Sequence, residues 1–231
     1  MNMTLTENTL VKDIVNELPK SSDVFKRNRI DFCCGGNIPL TEAAALADIS
    51  LESLINELNE VVEKSDSGEI DWKFWMEKDS EAIIDHVISQ YHNPLREELA
   101  NLSPYVTKVS RVHGGHRPEL LKVYELFYEF KKEMLDHAEK EEAIVFPLIK
   151  MLDANTVENR EEALNAIKEL EKEHDHAGSL LKELRIITSD FIPPAEACGT
   201  YRLVYKRLEM LEGETFNHVH LENNILFPRF N

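Results

Sequence analysis

The fold is decided by a stretch that occurs twice: HAEKEEAIVFP at residues 137–147 and HVHLENNILFP at residues 218–228. Each copy reads His-x-x-x-Glu, then four residues, then Phe-Pro. Because residues four apart share one face of a helix, each copy presents an imidazole beside a carboxylate. In a chain that is 30% charged, a single pair of this kind is a common accident. Two copies with matching endings instead predict two halves of one metal site.

Around these copies, apolar residues recur every three or four positions along four long segments, as in helices packed in a bundle. The segments cover about residues 80–102, 120–148, 158–187 and 198–225. Pro94 lies inside the first and predicts a kink or bulge there. The second stripe continues past Glu141 to Ile144 or Val145 and then Leu148. The sequence thus predicts an all-α fold whose main part is an up-and-down four-helix bundle.

Six ionisable residues fall on these apolar stripes, with apolar side chains one turn away: His92, His137, Glu141, His174, His218 and Glu222. Burying such groups unpaired is costly. A layer of mutually hydrogen-bonded His and Glu is one alternative. A metal would satisfy all six groups at once, so we predict that they are metal ligands. His86, His176 and His220 lie off the stripes and are predicted to lie in solvent or behind a ligand.

The ligand pattern repeats within the chain. His92 and His137 are 45 residues apart, and His174 and His218 are 44 apart. Each half is therefore a helical hairpin that gives one lone His and one His-x-x-x-Glu. Two facing halves would hold two metals, each bound by two His, with the two Glu as bridges. Such a set suits a pair of first-row transition metals, because zinc usually takes four ligands at one site.

The first part of the chain has a different chemistry, since no histidine precedes His86. Residues 1–66 read as a small helical domain and residues 67–231 as the bundle, with a polar linker at 65–69. A turn in the small domain contains Cys33 and Cys34, followed by two glycines. Adjacent cysteines close a strained ring, which argues against a structural disulfide. They are either small residues packed in a turn or a thiol relay that passes iron or electrons or docks a client.

Composition excludes several classes of function. A net charge of −17 opposes binding to the phosphate backbone of nucleic acids. No basic run suggests a membrane surface, and no apolar run approaches the roughly 18 residues that a span needs. The N-terminus lacks the pattern of a signal peptide, and three cysteines do not form a secreted disulfide framework. We therefore expect a cytoplasmic protein.

The whole chain resembles the hemerythrin-like proteins and, more closely, the iron–sulfur cluster repair di-iron proteins of the ScdA type. The resemblance rests on the Cys-Cys-Gly-Gly turn at 33–36, Tyr91-His92, Glu173-His174-Asp175 and the two His-x-x-x-Glu copies before Phe-Pro. It implies two non-haem iron ions, bridged by oxo or hydroxo and held by the six stripe residues. Asn93-Pro94, directly after the predicted ligand His92, departs from the pattern of this family. The departure affects the expected local geometry of the first helix.

By resemblance, the chain restores iron–sulfur clusters damaged by oxidative and nitrosative stress, by donating iron. Its partners would be damaged or apo iron–sulfur proteins, and it would be a repair protein rather than a turnover enzyme. Alternatives are a nitric oxide or peroxide reductase and a reversible sensor or carrier of a small diatomic ligand, O2 or NO. The absence of a His-x-x-x-x-Asp spacing argues against oxygen storage. All three functions use the same ligands, so the sequence does not distinguish among them. The sequence also does not decide whether the chain forms a homodimer.

Overall fold

A computed structural model describes residues 5–63 and 70–230, without the side chains of residues 62 and 63. All the regular elements in these ranges are helical, which confirms the predicted all-α class. The predicted linker at 65–69 lies outside the described residues. None of the described helices is both long enough and apolar enough to cross a membrane.

The chain separates into two compact units. The first contains the residues up to Asp79 together with Val219–Arg229, and the second contains Ser80–His218 and Phe230. The predicted domain boundary after residue 66 stays a prediction.

The first unit consists mainly of short helices. They are α1 (Val11–Glu17), α2 (Ser21–Arg27), α3 (Leu40–Leu46), α4 (Leu51–Glu63) and α5 (Trp72–Met76). α1 packs on α2 and α5, and α4 packs on α2 and α3. The carboxylate of Asp71 begins α5 by accepting a 3.0 Å hydrogen bond from the backbone N–H of Phe74. Arg229, in the last segment of the chain, donates to the carbonyl oxygens of Lys78 and Trp75 and so fixes that segment to the end of α5.

The second unit contains the long helices, several of which continue through a π-helical segment. The elements are α6 (Ser80–His86), a π segment (Val87–His92), α7 (Asn93–His113), α8 (Glu119–Lys140), a π segment (Glu141–Val145), α9 (Phe146–Asp153), α10 (Arg160–Ile187) and α11 (Gly199–Leu221). α11 runs on past His218 and is followed by a π segment (Glu222–Leu226) and a 3₁₀ turn (Phe227–Arg229).

Four of these helices form a closed ring. α7 packs on α8, and α8 packs on α10. Arg185 of α10 donates two hydrogen bonds to the buried carboxylate of Glu212 on α11. Arg207 of α11 makes a two-pronged contact of 2.7 Å with Glu98 on α7, which closes the ring. This is the arrangement expected of a four-helix bundle.

Each of the three π segments found in the described residues lies next to a predicted ligand and is followed by a proline. The segments end at His92 or begin at Glu141 and Glu222, and Pro94, Pro147 and Pro228 come two residues after their ends. Proline has no N–H and clashes with the carbonyl four residues back, so it disrupts a regular α-helix. A π turn, bonded five residues apart, is a wider form that is frequent at functional sites. The predicted bulge at Pro94 is thereby confirmed. The repeated Phe-Pro ending marks the other two places where a proline follows a π segment.

Candidate metal centre

Two groups of side chains that could bind metal meet inside the second unit. His92 and His218 form one group with Glu141, and His137 and His174 form the other, again with Glu141. Within each group the ligand atoms lie no more than 4.8 Å apart, and all five side chains are buried. Each pair of histidines thus combines one residue from each half of the sequence repeat, and Glu141 is common to both groups.

Glu141 lies between the two groups. Its Oε2 atom is 3.1 Å from Nε2 of His92 and 3.2 Å from Nε2 of His137. Neither carboxylate oxygen accepts a well-formed hydrogen bond from the part of the chain that the structure describes. Burial raises the pKa of this carboxyl, but the imidazoles of His137 and His92 outweigh burial and hold the pKa well below its usual range. A buried anionic carboxylate facing ring nitrogens is a donor set that fits a cation.

His137 and His174 face each other through the same ring atom. Their Nε2 atoms are 2.9 Å apart, and both rings are buried. One of the two nitrogens must carry a proton for this to be a hydrogen bond. A shared metal ion would replace that proton, because neutral imidazole is a metal ligand.

Glu142 holds the ring of His92 from behind. Its Oε1 atom accepts a 2.7 Å hydrogen bond from Nδ1 of His92 and lies 2.8 Å from the guanidinium of Arg96. Burial raises the pKa of Glu142, but the hydrogen bonds from His92 and Arg96 give a net lowering. An ionised carboxylate on Nδ1 places the ring proton there and leaves the lone pair of Nε2 for a metal.

Glu173 does the same for His137. It accepts a 2.8 Å hydrogen bond from Nδ1 of His137 and pairs with Lys140 at 2.5 Å. The hydrogen bond from His137 is the main cause of the lowered pKa of Glu173. Sequence reasoning assigned neither Glu173 nor Glu142 a role. The signal that could have found them is a Glu directly beside a stripe residue, with a basic residue within reach.

The side chain of His218 borders a cavity of about 380 Å³ within the second unit. Tyr91 stacks on the His218 ring at 5.3 Å, and Leu95, Leu211 and Thr215 line the cavity beside them. The cavity is large enough for a small molecule to approach one of the predicted ligands.

Glu222 lies one turn beyond His218 on the continuing helix and is fully buried. It belongs to the segment assigned to the first unit. Its role as the second bridging carboxylate stays a prediction, which rests on the His-x-x-x-Glu repeat.

The histidines off the stripes differ from one another. His176 is half exposed, 3.8 Å from the carboxylate of Glu129. Of the two alternatives for His220, a solvated ring is wrong, because its side chain is fully buried in the first unit; a position behind a ligand stays a prediction. Its Nε2 donates to Asn16 at 2.9 Å and its Nδ1 accepts from Asn224 at 3.1 Å. Burial lowers the pKa of His220 to about 4, so the ring is neutral and structural.

Cys33 and Cys34 are free thiols in a tight turn. Cys33 is buried and Cys34 half-buried, and the two sulfur atoms lie 3.6 Å apart. Burial, then the hydrogen bond and charge of Cys34, raise the pKa of the Cys33 thiol well above its usual range. Their role as a thiol relay stays a prediction.

Comparison with known proteins agrees with this architecture. The family model of the Hemerythrin HHE cation binding domain matches residues 83–230, and that of a Domain of Unknown function (DUF542) matches residues 7–62. The iron-sulfur cluster repair protein ScdA of Staphylococcus haemolyticus is 42% identical over 98% of this chain and 99% of its own length. The iron-sulfur cluster repair protein YtfE of Escherichia coli O8 is 34% identical over 94% of both chains. The chain therefore belongs to the hemerythrin HHE family and, along nearly its whole length, to the ScdA and YtfE group of iron–sulfur cluster repair proteins.

Proposed function

We propose that this chain holds two iron ions in the bundle and restores damaged iron–sulfur clusters by giving up that iron. The proposed ligands are the six stripe residues, with Glu141 and Glu222 as bridges. The observation that carries the proposal is the buried carboxylate of Glu141, which faces histidine nitrogens of both groups. A carboxylate shared in this way can bridge two metal ions.

The donor set supports iron over a structural zinc ion. The proposed ligands are four histidines and two carboxylates, which suit a pair of first-row transition metals. A structural zinc ion usually takes four ligands at one site.

The charge of the donor set supports release of the iron. Only two of the six proposed protein ligands are anionic, so Fe(III) is bound less tightly than in a carboxylate-rich site. Glu142 and Glu173 add negative charge only indirectly, through Nδ1 of His92 and His137, and 31% and 34% of their side chains are exposed to solvent.

The names of the relatives support the same role. ScdA and YtfE proteins are named for iron–sulfur cluster repair. The partners proposed for this chain are accordingly iron–sulfur proteins with a damaged or missing cluster, and its proposed location is the cytoplasm.

Mixing an iron-loaded protein with a cluster-depleted client tests the proposal. We expect about two irons per chain, absorption from a bridged Fe(III) pair, and loss of that absorption as the client regains its cluster. Glu141→Gln should abolish both the iron pair and the transfer. The matched control is Glu139→Gln, which changes an exposed carboxylate on the same helix. Iron that stays bound while the client remains inactive would contradict the donor function.

Reduction of nitric oxide or peroxide is a second candidate, supported by the cavity beside His218. The same protein, supplied with an electron donor and the small oxidant, distinguishes the two functions. Many turnovers with no loss of iron would favour the reductase, and iron loss in proportion to cluster recovery would favour the donor. Reversible binding of O2 or NO without either result would indicate a sensor.

A further inference from the structure

A second cluster of metal-binding atoms lies in the first unit, in the turn that contains the adjacent cysteines. Asp31, Cys33 and Cys34 bring one carboxylate oxygen and two sulfurs within 4.8 Å of one another. Oδ1 of Asp31 accepts hydrogen bonds from the backbone N–H groups of Cys33 at 3.2 Å and Cys34 at 2.9 Å. It is also 3.4 Å from the sulfur of Cys33. The carboxylate is thereby held against the Cys33 thiol, with the Cys34 sulfur within 4.8 Å.

Two of the three separations among these atoms are close to those expected around one tetrahedral ion. With metal–sulfur distances of about 2.3 Å, two thiolates on a tetrahedral ion lie about 3.8 Å apart, and a carboxylate oxygen lies about 3.6 Å from each sulfur. The observed separations are 3.6 Å between the sulfurs and 3.4 Å from Oδ1 to the Cys33 sulfur. A disulfide would instead require about 2.05 Å, a strained ring and an oxidant.

The turn is built to keep this arrangement. A Cβ atom on Gly36 would lie 2.3 Å from the carbonyl oxygen of Phe32, so only glycine fits there. A Cβ atom on Gly35 would lie 3.2 Å from the Asp31 side chain and would press on the carboxylate that faces the thiols. Gly35 therefore leaves room for Asp31 inside the turn, and Gly36 allows the chain to pass close to the backbone of Phe32.

Hydrogen bonds fix the turn at both ends. The side chain of Asn224 donates to the carbonyl of Cys33 at 2.9 Å, and Asn224 is itself bonded to the buried ring of His220. On the other side, the backbone N–H of Lys12 on α1 donates to the carbonyl of Gly36 at 2.9 Å. The three candidate ligands thus sit on a braced backbone, which is what a metal site with few ligands needs.

We propose that Asp31, Cys33 and Cys34 form a second metal site, which binds one thiophilic divalent ion such as Zn(II), Co(II) or Fe(II). On binding, the ion displaces the protons of the two thiols and forms two metal–sulfur bonds and one metal–oxygen bond. Three protein ligands leave a fourth tetrahedral position for water or an incoming ligand. That Fe(II) is the occupant in the cell rests on the proposed function, whereas the existence of the site does not.

Cobalt titration of the full chain, with its bundle already loaded with iron, tests the site. We expect one further Co(II) per chain with thiolate-to-cobalt charge-transfer absorption, which histidine and carboxylate ligands do not give. Bound Zn(II) should protect the half-buried Cys34 from alkylation and leave the exposed Cys198 reactive. Cys33→Ser and Cys34→Ser should each abolish this absorption. Asp31→Asn should weaken binding about tenfold or more, by analogy with loss of a supporting carboxylate.

Cys198→Ser is the matched control and should bind cobalt as the parent protein does. Unchanged far-ultraviolet circular dichroism will show that each variant is folded. The proposal is overturned when the folded parent protein gives no thiolate absorption, or when the absorption survives in the Cys33→Ser and Cys34→Ser double variant. Because no client protein is present, a negative result here leaves cluster repair untouched, and failed repair with a normal cobalt spectrum leaves this site intact.

Discussion

Glu173 is expected to control how tightly the chain holds metal, although it is not itself a proposed ligand. It accepts a 2.8 Å hydrogen bond from Nδ1 of the ligand His137. A hydrogen bond to a charged group contributes about 1.5–3 kcal/mol. Because 34% of the side chain is exposed, solvent screening reduces this to about 1.4 kcal/mol, a factor of about 10 in affinity. Glu173→Gln keeps the length and an oxygen acceptor, so it removes the charge and little else.

Competition against a colour-forming Fe(II) chelator, without oxygen, measures the affinity. We expect Glu173→Gln to bind iron about tenfold more weakly than the parent protein. The matched control is Glu169→Gln, one turn earlier on α10, where the carboxylate pairs at the surface with Lys172. It should bind as the parent does. Unchanged affinity in Glu173→Gln, or an equal loss in both variants, would refute the idea that this carboxylate supports His137.

Three further results are expected. Glu141→Gln should remove metal from both groups because they share this carboxylate, whereas His174→Ala should leave about one ion per chain. Elemental analysis measures the metal content, and equal content in the two variants would contradict this expectation. His220→Leu should lower the free energy of unfolding in urea by about 1–3 kcal/mol, since two half-buried amides lose their partner, and the exposed His176→Leu should change it little. The hydrogen bond from His137 lowers the pKa of Glu173 in the folded chain. The ionised carboxylate therefore stabilises the metal-free fold at pH values above about 4.3, the pKa of Glu in the unfolded chain. This stabilisation is lost as the pH falls through the lower pKa of the folded chain. Urea unfolding should therefore separate Glu173→Gln from the parent at about pH 7, and the difference should shrink as the pH falls below about 4.3.

Helical periodicity was sufficient to predict the bundle and the convergence of five stripe residues, but it failed where the helix changes type. Beyond Glu141, a step of 3.6 residues favours Ile144 as much as Val145, with Leu148 next. In the structure Ile144 is 52% exposed, and Val145 and Ile149 are buried instead. The π segment inserts one residue and rotates the side chains beyond it around the helix axis. The π segment shifts the positions of the apolar residues beyond it. The spacing of those residues, read with a regular helical repeat, therefore does not reveal where the helix changes pitch.

The supporting carboxylates were missed for a different reason. Glu142 and Glu173 each adjoin a predicted ligand, and both keep part of the side chain in solvent. In a chain with 43 acidic residues, such positions look like the ordinary outer face of a helix. Their function depends on contacts between residues 50 and 36 positions apart, which only the packing of the helices creates. The burial of His220 was not predicted from the sequence either, because its partners Asn16 and Trp72 are distant in the chain.

The π segments have a consequence for protein design. An α-helix with one residue added becomes locally a π turn, so deleting a single residue from Glu141–Val145 would restore a regular helix. Such a deletion would turn every later side chain by about 100° around the helix axis, and the apolar stripe beyond it would face water. Transplanting these ligands onto an idealised bundle of regular helices would therefore require one-residue insertions beside them, because copying the ligands alone would leave them out of register.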